Sequence, residues 1–123
     1  MPQTTTYTTD RDCLMQAVAE LNRHGILACT ALVGTAPDLH GRLRASLARR
    51  FPAGMGSYAF WTHADEHRFD PAGTLTGPLA LHCSDDDVAV AAAAACRDAG
   101  IAVEADERAA TLRVAPRRAA RAA

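Results

Sequence analysis

The stretch from Ser84 to Gly100 constrains this chain most. Ser84 is placed to cap a helix, Asp85, Asp86 and Asp87 complement the positive end of its dipole, and Val88, Ala91, Ala92, Ala95, Cys96 and Ala99 form one apolar stripe that stops at Gly100. The acidic triplet needs no metal to explain it. Two short alternating runs follow at once, Ile101–Glu104 and Thr111–Ala115, which read as a hairpin. A helix with one apolar stripe must bury it against another layer, and the strands beside it supply that layer.

The same reasoning applied upstream gives the rest of the order. Asp10 to His24 places Leu14, Ala17, Val18 and Leu21 at helical spacing, with Thr9 or Asp10 as cap and Gly25 as stop. Ile26–Val33 is a nearly continuous apolar run of strand length. Thr35–Phe51 starts with Pro37 in its first turn and carries Leu39, Leu43, Leu47 and Phe51 on one side. Arg42, Arg44, Arg49 and Arg50 lie on the other, a solvated face. Ser57–Thr62 and Pro78–Cys83 read as strands separated by a polar loop. The expected architecture is an α+β two-layer sandwich. Three helices cover one face of a sheet of about five strands, mixed or mostly antiparallel.

A chain of 123 residues supports one core of ordinary size, so a single domain is expected over 10–115, with a flexible stretch at 1–9 and an Arg/Ala-rich disordered tail at 116–123. All 13 basic residues are Arg, and the formal net charge is only -1. That balance lacks the broad positive field that binding a run of phosphates requires, which argues against nucleic acid as a main partner. No apolar run reaches bilayer length and the start is polar and Thr-rich, so a cytoplasmic setting without membrane contact is expected. There Cys13, Cys29, Cys83 and Cys96 should be thiols, each a small buried hydrophobe more readily than a nucleophile.

Strand alternation divides the sheet residues. Leu79, Leu81, Ile101, Val103, Leu112 and Val114 should face the helices, and Ala80, His82, Ala102, Glu104, Thr111 and Arg113 should face away. In the aromatic strand, Tyr58 and Phe60 are expected inward, which sends Ala59, Trp61 and His63 to the open side. Trp61, His63, His82, Glu104 and Arg113 then form a candidate binding surface, because an aromatic group among titratable ones suits recognition. An ordinary wet sheet with Trp61 under a loop is the competing account.

The densest group of titratable side chains is Thr62-His63-Ala64-Asp65-Glu66-His67-Arg68. His63 and His67 share a side in either local conformation, and Asp65 joins them in an extended one. These three could hold a zinc-type ion, with Cys29, His82 or Cys83 as a fourth ligand and Glu66 or Glu104 as general base of a small metal-dependent hydrolase or lyase. A solvated polar loop explains the same residues, since neither finger spacing nor a His-Glu-x-x-His pattern is present. His24 and His40 fit their helix-terminal positions without a catalytic role. No Gly-x-Gly-x-x-Gly, Walker loop or Gly-x-Ser-x-Gly elbow occurs.

Gly25–Ala28, Tyr58–Arg68 and Ala99–Glu104 together resemble three segments of a bacterial family of mostly actinobacterial proteins, domain of unknown function 6891. Gly25-Ile26-Leu27-Ala28 after the first helix resembles its Gly-Ile-Val-Ala, and Ala99-Gly100-Ile101-Ala102-Val103-Glu104 is similar to its Ala-Gly-Leu-x-Val-Glu. The run from Tyr58 to Arg68 resembles its Tyr-x-Phe-Tyr-His-x-Gln-Asp-x-Glu-Arg signature. Thr62 and Ala64 stand where that family has His and Gln, Asp65 and Arg68 are kept, and His67 replaces Glu. The resemblance implies a fold, a bacterial origin and a lost or retuned signature, with no activity attached. The functional expectation is therefore a non-catalytic binding or interaction module acting through the open sheet face and the segment from His63 to Arg68. It needs no cofactor, and its partner is a protein, a small molecule or a second copy of the chain.

Overall fold

A computed structural model describes residues 9–50, 56–105 and 110–116. The expected flexible stretch at 1–9 and tail at 116–123 lie outside this range, apart from Thr9 and Pro116. The chain is an α+β protein in the order α1 (Asp10–Arg23), β1 (Leu27–Leu32), α2 (Ala36–Arg50), β2 (Tyr58–Thr62), α3 (His63–Glu66), β3 (Leu79–Cys83), α4 (Asp86–Asp98), β4 (Val103–Ala105) and β5 (Thr111–Val114). The fourth helix is α3, a single turn that the expected polar loop concealed. It forms because Thr62 caps it, accepting from the Asp65 N–H at 3.2 Å.

Local capping explains the other helices. Thr9 and Asp12 exchange side-chain and backbone bonds in a capping box at the start of α1, and Gly25 leaves its end at φ 84°. The cap of α4 is Asp85, whose carboxylate accepts from Val88 N–H at 2.9 Å. Ser84, expected there, instead closes the end of the sheet, its Oγ accepting from Tyr58 N–H at 3.0 Å.

The five strands form one mixed sheet in the order β1-β2-β3-β5-β4. Only β1 and β2 pair in parallel; β2–β3, β3–β5 and β5–β4 are antiparallel, so β4 runs parallel to β3 two places away. The connections β1-α2-β2 and β3-α4-β4 are thus both crossovers between parallel strands. They step the same way across the sheet but start from antiparallel strands. Right-handed connections then put α2 and α4 on opposite faces.

The packing follows this rule and corrects the expectation of three helices on one side. On one face Cys13, Leu14, Ala17 and Leu21 of α1 and Val88, Ala92, Ala95 and Cys96 of α4 bury Ala59, Trp61, Leu79, Leu81, Leu112 and Val114. On the other face Leu39, Leu43 and Leu47 of α2 cover Leu27 and Cys29 of β1 and Tyr58 and Phe60 of β2. The β1–β2 half of the sheet is covered on both faces. The β3–β5–β4 half meets helices mainly on the α1/α4 side.

The polar segment after α3 is held to the first helix. Buried Asp10 accepts from Leu75 N–H at 2.8 Å, and Arg11 N–H donates to the Gly73 carbonyl at 2.9 Å. From sequence Asp10 reads as a candidate cap of the first helix. Here it meets the backbone of a segment 65 residues away, so its burial was not legible locally.

Candidate functional site

The expected contact surface changes in its central member. Trp61 is 0% exposed and packs in the α1/α4 core, while Tyr58 and Phe60 face α2. The side chosen for β2 is the reverse of the expectation. Every residue of that strand is buried, so it carries no polar/apolar alternation from which a side could be read. The indole N–H of Trp61 donates to Glu66 Oε1 at 2.7 Å, and the other oxygen of Glu66 pairs with Arg11. Glu66, considered above as a general base, is thereby an internal strut between β2, α3 and α1.

The strands on the other half do turn as expected. Ala80 pairs with Arg113, His82 with Thr111 and Glu104 with Arg113, so these side chains share the α2 face. Arg113 and Glu104 are exposed and form an ion pair across β5 and β4. His82 and Thr111 are buried, at 6% exposure each, which narrows the open surface. The His82 ring lies 5.1 Å from Phe60 and 6.0 Å from His40, at the margin of the patch that α2 covers.

The proposed ligand triad does not assemble. His63 and His67 are exposed neighbours on α3 and its cap, with ring centroids 4.8 Å apart and His67 Nδ1 3.2 Å from the His63 carbonyl oxygen. Asp65 turns to the sheet instead. Its Oδ2 accepts from Ala80 N–H at 3.2 Å and its Oδ1 lies 3.6 Å from Arg68 Nε. The helical turn puts Asp65 on a different side from the two imidazoles, whereas an extended segment would have aligned them. Cys83 faces the α1/α4 core and His82 the other side, so they cannot complete one ligand set either. Among the described residues no group of three or more His, Cys, Asp or Glu side chains is placed to hold a metal ion.

What the fold does bring together is a cleft of about 470 Å³ at the end of the sheet where β1 and β2 finish and β3 begins. Gly34, Thr35 and Ala36, at the start of α2, form one wall; Thr62, Ala64, Asp65 and Arg68, around α3, form another. Pro78, Leu79, Ala80, His82 and Arg113 complete it. The place follows from the β1-α2-β2 crossover. The cleft opens outside the carboxyl ends of the parallel pair, where the chain turns from β1 into α2 and from β2 into α3 and where β3 enters the sheet. The volume lies within the range of small-molecule sites.

Asp65, Arg68, His82 and Arg113 were legible as candidates. Gly34, Thr35 and Ala36 were not, because only the crossover carries the start of α2 over the end of β2. The long helical segment between β1 and β2, of the kind a parallel pair needs for its crossover, is the signal that would have pointed to them. Thr62, Ala64, Asp65 and Arg68, positions of the signature-like segment, all line this cleft.

A second polar group lies under α2. Tyr58 OH is 2.6 Å from His40 Nδ1 and is also hydrogen-bonded by Arg44. A guanidinium only donates, so the phenol oxygen accepts from Arg44 and its own proton is assigned to a neutral His40. Burial, aided by the Arg44 charge, holds the His40 pKa below the ordinary value of 6.5, and burial raises that of Tyr58 despite Arg44. His40, read above as a helix-start residue, is thus a tie between α2 and β2. Cys29 is half-buried in the same cluster, with its thiol pushed up by burial.

The four cysteines are free thiols, and no helix among the described residues is long and apolar enough to cross a membrane. No family model matches this chain, and no curated protein or solved structure matches it.

Proposed function

We propose that this chain is a non-catalytic binding module that takes a small molecule in the cleft between α2, α3 and the start of β3. The observation that carries this reading is the cleft of about 470 Å³ outside the carboxyl ends of β1 and β2, where four separate stretches of chain contribute polar groups. Of the two carboxylates considered as general bases, Glu66 is engaged by Trp61 and Arg11, and neither Glu66 nor Glu104 lines the cleft, which favours binding over catalysis. Membership of the family that the segment from Tyr58 to Arg68 resembles belongs to the same proposal. On that view, the exchange of His and Gln for Thr62 and Ala64 retunes what the cleft accepts. Trp61 is withdrawn from the contact surface, because it is enclosed in the core.

Native mass spectrometry of the protein purified from its own host tests the reading alongside Ala64→Trp, which fills the cleft from an exposed position on α3. A ligand mass carried by the wild type and missing from the variant is expected. The same mass on both proteins would put the ligand elsewhere. A bare wild-type chain whose melting temperature no host small-molecule fraction raises would remove the binding role.

A further inference from the structure

Resting on the cleft reading above, we infer that the ligand is a small organic oxyanion, a carboxylate or phosphate ester with a short apolar body, whose charged end sits between Arg68 and Arg113. The balance of donors and acceptors in the cleft carries this. Two guanidiniums line it against one carboxylate, that of Asp65. Asp65 Oδ2 is taken by Ala80 N–H, and its Oδ1 lies 3.6 Å from Arg68 Nε. The two hydroxyls are committed in the same sense. Thr62 Oγ1 accepts from Asp65 N–H at 3.2 Å and Thr35 Oγ1 accepts from Asp38 N–H at 3.3 Å, which leaves each an O–H to donate.

A ligand entering this cleft therefore meets mostly donors, and an oxyanion is the group that satisfies them. Pro78, Ala36 and Ala64 offer an apolar body its complement. The internal ion pairs do not compete strongly. Arg68 and Arg113 are about half exposed, at 52% and 50%, and pairs in that setting are held weakly against an incoming bidentate acceptor.

Titration of the full chain, followed by backbone amide chemical shifts, tests the inference with benzoate, phenyl phosphate and the neutral isostere benzamide. Benzoate or phenyl phosphate should shift the amides of Ala64, Leu79 and Ala80 and bind about tenfold more tightly than benzamide. Whichever anion binds more tightly identifies the source class. The Arg68→Ala/Arg113→Ala double variant should lose about tenfold for the anions and nothing for benzamide, with R68K/R113K in between. The two side chains are exposed enough that folding should survive, which circular dichroism checks. Benzamide binding as tightly as the anions would overturn the oxyanion assignment while leaving the cleft reading intact. Cleft amides that respond to none of the probes would overturn it too, and the cleft reading would then stand or fall on the mass measurement alone.

Discussion

Replacing Trp61 by Phe isolates what enclosing this side chain contributes. The indole is 0% exposed and donates to Glu66 at 2.7 Å, and Glu66 is held in turn by Arg11. Phe keeps most of the ring but removes roughly 40 Å² of buried apolar surface, about 1 kcal/mol at the usual area coefficient. It also removes a hydrogen bond to a charged acceptor, about 1.5–3 kcal/mol with part of that retained because Arg11 still satisfies the carboxylate. The sum is about 2–4 kcal/mol, a large share of the roughly 5–15 kcal/mol that holds a domain of this size together. At about 4 °C per kcal/mol the midpoint of thermal unfolding should fall by about 8–16 °C. Chemical denaturation followed by circular dichroism measures this, and a cycle with Glu66→Ala separates the hydrogen bond from the packing. Trp61 is the sole tryptophan, so wild-type emission reports its environment directly. A cost below about 0.5 kcal/mol, with emission that a soluble quencher reaches freely, would put Trp61 back on the outer face and refute the packing of β2 described here.

Three further outcomes follow from buried polar and thiol groups. Asp10→Ala should cost about 1–3 kcal/mol by stranding the buried Leu75 N–H, and should raise amide exchange across residues 70–76; exchange confined to residue 10 would contradict the docking of that segment. His40 is held below its ordinary pKa of 6.5 in the fold, so the unfolded chain takes up that proton more readily. Its contribution is therefore complete above pH 6.5 and is lost as the pH falls from there toward the folded value, and His40→Gln should flatten this part of the stability profile. Parallel wild-type and variant profiles through the window would rule the tie out. Burial pushes the Cys83 and Cys96 thiols up to about 12, so alkylation mapped by mass spectrometry should reach half-buried Cys29 first and these two only on unfolding.

Local signals determined which segments became helix and strand. The spacing of Leu14, Ala17 and Leu21, the acid-rich start of α4 and the short runs around Leu79, Val103 and Leu112 all name their elements, because periodicity and capping act over one or two turns of chain. The α+β class and the outward turn of Glu104 and Arg113 were legible for that reason. Tertiary structure alone decided which face each helix took, and with it the site. Handedness sends α2 and α4 to opposite faces only once β1 lies beside β2 and β5 comes between β3 and β4, a choice no local pattern encodes. That choice buries Trp61, turns the sheet side of Asp65 toward Ala80, and brings Thr35, Arg68 and Arg113 to one cleft from positions far apart in the chain.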